Sequence, residues 1–337
     1  MFRISPVYAL VALASMTAVY FIVRRDDEQH GMAALFEDAL QQIVNRLRVR
    51  IQKIRKKPGP RRWRPSVICL SGNSFQRYDA LDLLRWISHR HGFATYIHLL
   101  KGYLSKANAN RADKALARLV DVGHQSDSHV YFSSMVSPSY TSAIAQVLQM
   151  PGVSGRPNNT ILFEYNRRKP EQLNAMAENF RLTKTRDFDV LLLACAPRKF
   201  GYRQCIDVWI TESDSSNMEF MILLAHIILS HPDWAKGMIR ICAVYPGEKL
   251  KERRAELREM IESGRLPVAP RNLNLIARRE DVSLQNLVNE NSASADLVVL
   301  GFRGAGLARE KNFELFQGYP DIGNILFVNT QIKKTIF

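Results

Sequence analysis

The apolar run from Ile4 to Val23, followed directly by Arg24-Arg25, constrains this chain more than any other feature. Twenty residues at helical rise span about 30 Å, the thickness of a bilayer's hydrocarbon core. Only Ser5, Pro6, Ser15 and Thr17 interrupt the run, and none is charged. Arg3 alone precedes it, whereas ten basic residues and no acidic one lie between Arg46 and Arg64. Basic residues beside a membrane span stay on the cytoplasmic side. The expectation is a transmembrane helix within 1–24 and a cytoplasmic body. The rival is a signal peptide cut at Ala12-Leu13-Ala14. That site falls inside the apolar run, and a signal peptide carries its charge in front.

Residues 25–62 read as a basic amphipathic connector. Phe36, Leu40, Ile43, Leu47, Ile51 and Ile54 recur at intervals of three and four, which makes one apolar stripe. Pro58-Gly59-Pro60 ends the helix. The stripe suits a membrane surface, the chain's own body or a second copy; the expectation is docking on protein, with lipid held by the basic faces. Arg24, Arg25, Arg46, Arg50, Lys53 and Lys57 are the expected lipid contacts. Each contributes about 1 kcal/mol beside anionic head groups. Of the net charge of +15, an excess of eight sits in residues 1–66, thirteen Lys/Arg against five Asp/Glu. About half of the excess charge is thereby assigned to the membrane, and nucleic acid is not an expected partner. Cys69, Cys195, Cys205 and Cys242 have no CxxC spacing, so reduced, structural thiols are expected.

Beyond Trp63, short apolar runs alternate with amphipathic helices. Strands are predicted at Val67–Ser71, Ala94–Leu100, His129–Ser133, Thr160–Tyr165, Val190–Ala194, Cys205–Thr211, Met238–Tyr245, Leu273–Ala277, Asp296–Gly301 and Asn324–Asn329. Most are continuously apolar, as strands covered on both faces are. The alternation predicts an α/β fold with doubly wound, mostly parallel sheets. Ten strands are many for one such sheet, so two subdomains are expected, 63–185 and 186–337.

Ligands of parallel sheets settle at the carboxyl ends of strands. Two loops there are candidate ligand sites: Gly72, Asn73 and Ser74 after the first strand, and Gly301, Arg303 and Gly304 after the ninth. The first reads more readily as a tight turn with a helix cap at Asn73 or Ser74. The second fails GxGxxG because Arg309 stands at the last position, and neither holds the GK[ST] of a P-loop. No G-x-S-x-G or HExxH occurs. Asp187-Phe188-Asp189 has the D-x-D form of sugar-nucleotide transferases but precedes its strand rather than following it. No catalytic residue, metal site or cofactor is expected.

The run Cys205-Ile206-Asp207-Val208-Trp209-Ile210, the helix Met218–Leu229, Trp234 and the strand Met238-Ile239-Arg240-Ile241 resemble the cytoplasmic C-terminal domain of cation-chloride cotransporters. Trp63-Arg64-Pro65-Ser66-Val67-Ile68-Cys69-Leu70-Ser71-Gly72, Pro157-Asn158-Asn159-Thr160-Ile161-Leu162 and Ser294-Ala295-Asp296-Leu297-Val298-Val299-Leu300 fit further strands of it. Ile4–Val23 and the connector then match the last membrane helix and its link. The chain departs from the family at Ile210, where a second Trp is usual, and at Thr211-Glu212-Ser213-Asp214-Ser215-Ser216, where a Gly-rich turn is usual. The resemblance implies a universal-stress-protein-like fold and a regulatory, dimerising module of a cotransporter or related amino acid permease. Its transport domain would act in cis or in trans, and no ion-pathway residue carries over. The alternative is a membrane-tethered nucleotide-binding module of stress-protein type. That motif needs a Gly-Ser or Gly-Thr downstream, which Gly306 and Gly318 do not supply.

Overall fold

A computed structural model describes residues 10–18, 30–54, 63–155, 157–263, 268–279, 281–304, 313–332 and 334. The chain divides into two compact units, Met1–Arg61 and Arg62–Phe337. In the first, residues 10–18 are helical, and α1 runs from His30 to Ile54. Along α1, Phe36, Leu40, Ile43, Leu47 and Ile51 form the expected stripe and are 41–60% exposed. Arg46, Arg50 and Lys53 stand exposed on the same helix. No helix among the described residues is long and apolar enough to cross a membrane. The structure therefore does not support the expected transmembrane helix; the rest of its span, with Arg24, Arg25 and Lys57, lies outside the described residues.

In the second unit the ten predicted strands all form, with ends shifted by two residues or fewer except at β3. They are β1 Ser66–Ser71, β2 Phe93–Lys101, β3 Tyr131–Ser137, β4 Thr160–Asn166, β5 Asp189–Cys195, β6 Cys205–Thr211, β7 Met238–Tyr245, β8 Leu273–Ala277, β9 Leu297–Gly301 and β10 Asn324–Asn329. They make one sheet in the order β3-β2-β1-β4-β5-β10-β9-β6-β7-β8. All neighbours are parallel except β5 and β10, which run antiparallel with Leu192 opposite Phe327. The sheet is thus a repeat. β1 to β5 lie in the order 3-2-1-4-5, and β6 to β10 repeat it in mirror sequence from the other edge.

This corrects the expected division near residue 185. β5 begins at Asp189 and pairs with β4 along its whole length, so it completes the first half, and the change of half falls between Cys195 and Cys205. The sheet does not part there, because β10 returns to cover the edge of β5. Every residue of both strands is buried. Such strands belong inside a sheet and not at its margin.

Helices cover both faces. α2 (Asp79–Ser88), α3 (Lys106–Gln125), α6 (Met218–Leu229) and α7 (Leu250–Glu262) contribute Leu84, Leu119, Phe220 and Leu257 to one core layer. α4 (Tyr140–Val147), α5 (Leu173–Lys184) and α8 (Leu284–Ser292) contribute Ile144, Phe180 and Val288 to the other. The halves also meet through Trp86, whose ring lies edge-on to Trp234 at 5.3 Å and to Phe200 at 4.6 Å.

Candidate functional site

Strand order reverses between β1 and β4 in the first half and between β6 and β9 in the second. These switch points are where α/β sheets hold ligands, and a cleft opens at each.

The first cleft, about 450 Å³, is lined by Ser71, Gly72, Asn73, Arg77, His98, Tyr140, Phe163, Glu164, Gln172, Met176 and Leu192 among others. Its carboxylate is Glu164 on β4, whose side chain is only 4% exposed; Arg77 and Lys101 are the cations of the lining. Ser71 Oγ donates to Glu164 Oε1 at 2.5 Å, and Arg77 Nη2 stands 3.8 Å from the same oxygen. Glu164 Oε2 and Arg77 Nη1 are buried without a hydrogen-bond partner among protein atoms. Burial raises the Glu164 carboxyl above its ordinary range, against the pull of Arg77 and Ser71. Burial likewise lowers the His98 ring, whose Nδ1 lies 2.8 Å from Ser74 Oγ.

Gly72 and Asn73 line this cleft, whereas Ser74 is not part of its lining. Ser74 is buried, and its hydroxyl bonds the Ser71 carbonyl at 3.2 Å. Neither residue caps a helix: Asn73 N–H donates to Ser71 Oγ, and its carbonyl accepts from Gln76 N. α2 starts six residues after Asn73, with no side-chain cap. The loop is a tight turn alone.

The second cleft, about 710 Å³, is lined by Thr211, Glu212, Ser213, Arg278, Arg279, Asp281, Ser283, Arg303 and neighbours. Arg303 reaches it, with Nε donating to the Ser213 carbonyl at 3.2 Å. Gly301 and Gly304 are close approaches and not a phosphate cradle. A Cβ on Gly301 would sit 1.8 Å from Asp214 Oδ1, and one on Gly304 would sit 2.1 Å from the Phe180 ring. The space beside Gly301 thus holds a carboxylate, which repels phosphate. Asp214 accepts from Thr211 N–H and Oγ1, which closes a capping box.

Sequence reasoning did not find Glu164, Arg77, His98, Arg278 or Arg279. Glu164 was detectable as the one charge in the strand Thr160–Asn166. The other signals resolve as structure. Asp189 of the D-x-D accepts from Thr330 Oγ1 at 2.7 Å and pairs with buried Lys334 at 3.0 Å. Asp207, fully buried, takes a two-pronged contact from Arg240 and a hydrogen bond from Ser292, which also accepts from Trp209 Nε1. Four free thiols include three that are buried, and burial pushes Cys205 and Cys242 up to about 12. His89 stacks on His129 and meets the edge of His231. Among the described residues no cluster of three His, Cys, Asp or Glu could hold a metal ion.

No family model and no curated protein matches the sequence. Solved structures do match the fold. The cytoplasmic domain of a prokaryotic cation chloride cotransporter superposes with a TM-score of 0.55 at 17% identity, over 81% of this chain and 98% of that one. A universal stress protein from Archaeoglobus fulgidus DSM 4304 gives 0.50 at 11% identity, over 78% and 96%. A putative universal stress protein from Pseudomonas aeruginosa UCBPP-PA14 gives 0.50 at 14%, over 79% and 94%. The body is therefore an α/β protein of the universal-stress-protein-like fold. In its architecture it is a structural neighbour of that cotransporter domain.

Proposed function

We propose that this chain is a regulatory, non-catalytic module of a membrane transporter of the cation-chloride cotransporter or related amino acid permease type. In this reading the body lies on the cytoplasmic side. It associates with a second copy and acts on a transport domain carried in cis or in trans. Arg46, Arg50 and Lys53, with Arg24, Arg25 and Lys57, face anionic lipid, and no cofactor is required. The observation that carries the reading is the likeness of the sheet to 98% of a cotransporter's cytoplasmic domain. The second candidate loop supports it in a further way, since Gly301 and Gly304 make room for Asp214 and the Phe180 ring rather than for phosphate.

Light scattering and cross-linking in native membranes test it together. A dimer joined to a many-helix transport protein is expected. A strict monomer at the highest soluble concentration, cross-linked only to soluble proteins, would overturn it. A second reading, a membrane-tethered nucleotide-binding module of stress-protein type, is favoured by one observation, the three arginines lining the second cleft. Calorimetry with ATP and ADP separates the two, because the regulatory reading predicts neither heat nor thermal stabilisation.

A further inference from the structure

The first cleft contains an opposed pair that the fold does not use up. Glu164 Oε1 is engaged by Ser71, while Glu164 Oε2 and Arg77 Nη1 have no protein partner. The two charges offset one another, but each leaves one buried hydrogen-bonding atom unmet, which is costly unless something else satisfies it. Here the unsatisfied atoms are one anionic acceptor and one cationic donor, held side by side by the 3.8 Å approach of Arg77 to Glu164. The complementary ligand carries the inverse pair, an ammonium for the carboxylate and a carboxylate for the guanidinium. Charge-assisted bonds of this kind are about twice as strong as neutral ones. An anion such as phosphate fits badly, since Glu164 would repel it.

The remaining wall is mixed: Ser71, Asn73, His98, Lys101 and Gln172 make its polar part, and the rest is apolar. Tyr140, Phe163, Met176 and Leu192 face the same space, and 450 Å³ falls within the usual size of a small-molecule site. We propose that this cleft binds a free α-amino acid with an apolar side chain, its ammonium on Glu164, its carboxylate on Arg77 and its side chain among those four residues. Both unpartnered atoms are sealed from water. Binding therefore displaces Arg77, whose side chain is 15% exposed against 4% for Glu164. The site stands whether or not the chain regulates a transporter, because it rests on the geometry of one half alone.

Calorimetry on the full chain decides it. L-phenylalanine is titrated beside phenethylamine, which lacks the carboxylate, and 3-phenylpropionate, which lacks the ammonium. The amino acid is expected to bind, and each analogue to bind at least about tenfold more weakly, one lost charged hydrogen bond each. Glu164→Gln and Arg77→Gln are each expected to weaken binding by about the same factor with an unchanged circular dichroism spectrum. No heat from phenylalanine, leucine or methionine up to their solubility would overturn the site, as would either analogue matching phenylalanine. If a variant does not fold, the analogue series on the unaltered chain still separates these outcomes. Oligomeric state and cross-linking read the transporter proposal separately, so the two can fail independently.

Discussion

Gly301 ends β9 and Gly72 follows β1, yet they answer to different constraints. The side chain that alanine would add at Gly301 meets Asp214 at 1.8 Å, whereas at Gly72 it meets only the Leu99 carbonyl at 3.8 Å. Gly301→Ala should therefore cost about 1–3 kcal/mol in denaturant unfolding, the range of an overpacked core, and Gly72→Ala about 0.5 kcal/mol or less. A similar contrast explains how a motif pointed to the fold of a structural neighbour without revealing a function. Asp207 and Trp209 share a strand face and share Ser292 as a hydrogen-bond partner. Removing Arg240 would leave a fully buried carboxylate without its cation. Arg240→Met should cost about 3–5 kcal/mol, and Asp207→Asn in the same chain should recover part of that loss. Both values are read from urea midpoints. Residue types in loops told little here, because a glycine required by a neighbouring side chain and one that cradles a ligand look the same in sequence.

Elements were far more legible than sites. The strands announced themselves because both faces of the sheet are covered, which leaves unbroken runs such as Val190–Ala194. α8 went unread: Leu284–Ser292 buries only Leu287, Val288 and Ser292, and its three asparagines obscure the helical period. The turn after α6 carries a pH dependence. His231 precedes the short 3-10 turn Pro232–Trp234, and its Nδ1 accepts from Asp233 N–H at 3.0 Å. Burial lowers this ring to about 4, with Arg85, His89 and Arg203 acting in the same direction and Asp233 opposing them. The unfolded ring takes its proton near 6.5, so the stability due to neutral His231 is complete above that pH and is lost as pH falls toward 4. His89, His98 and His226 are also lowered and act the same way. Asp82, Glu164, Asp189 and Asp214 are raised, so their ionisation penalty is relieved on acidification and opposes the trend. His231→Asn keeps an acceptor for the turn and removes the titration. Its stability should fall less steeply than that of the parent between pH 6.5 and 4, and equal slopes in urea titrations would refute the assignment.

At the scale of the whole molecule, the duplicated strand order was hidden because the two halves agree in topology and not in sequence. Its consequence is concentrated where β5 meets β10. That antiparallel pair joins two parallel half-sheets, and the Trp86, Trp234 and Phe200 rings tie the halves together on one face. Residues 62–337 should therefore unfold in a single calorimetric transition rather than two. Cutting the chain after Gln204 sharpens the test. The first half keeps its own five strands but loses β10, which leaves the edge of β5 unpaired. All seven residues of β5 are buried in the whole protein. A long apolar edge of that kind pairs with whatever matching strand it meets, and in solution the commonest one is a second β5. Its pairing with β10 is already antiparallel, so a two-fold axis can put another β5 in the same place with little change of register. Light scattering of the 62–204 fragment should show a dimer or larger species at every concentration where it is soluble. A stable monomer would mean that β5 needs no partner, and the single-sheet account of this fold would have to be abandoned.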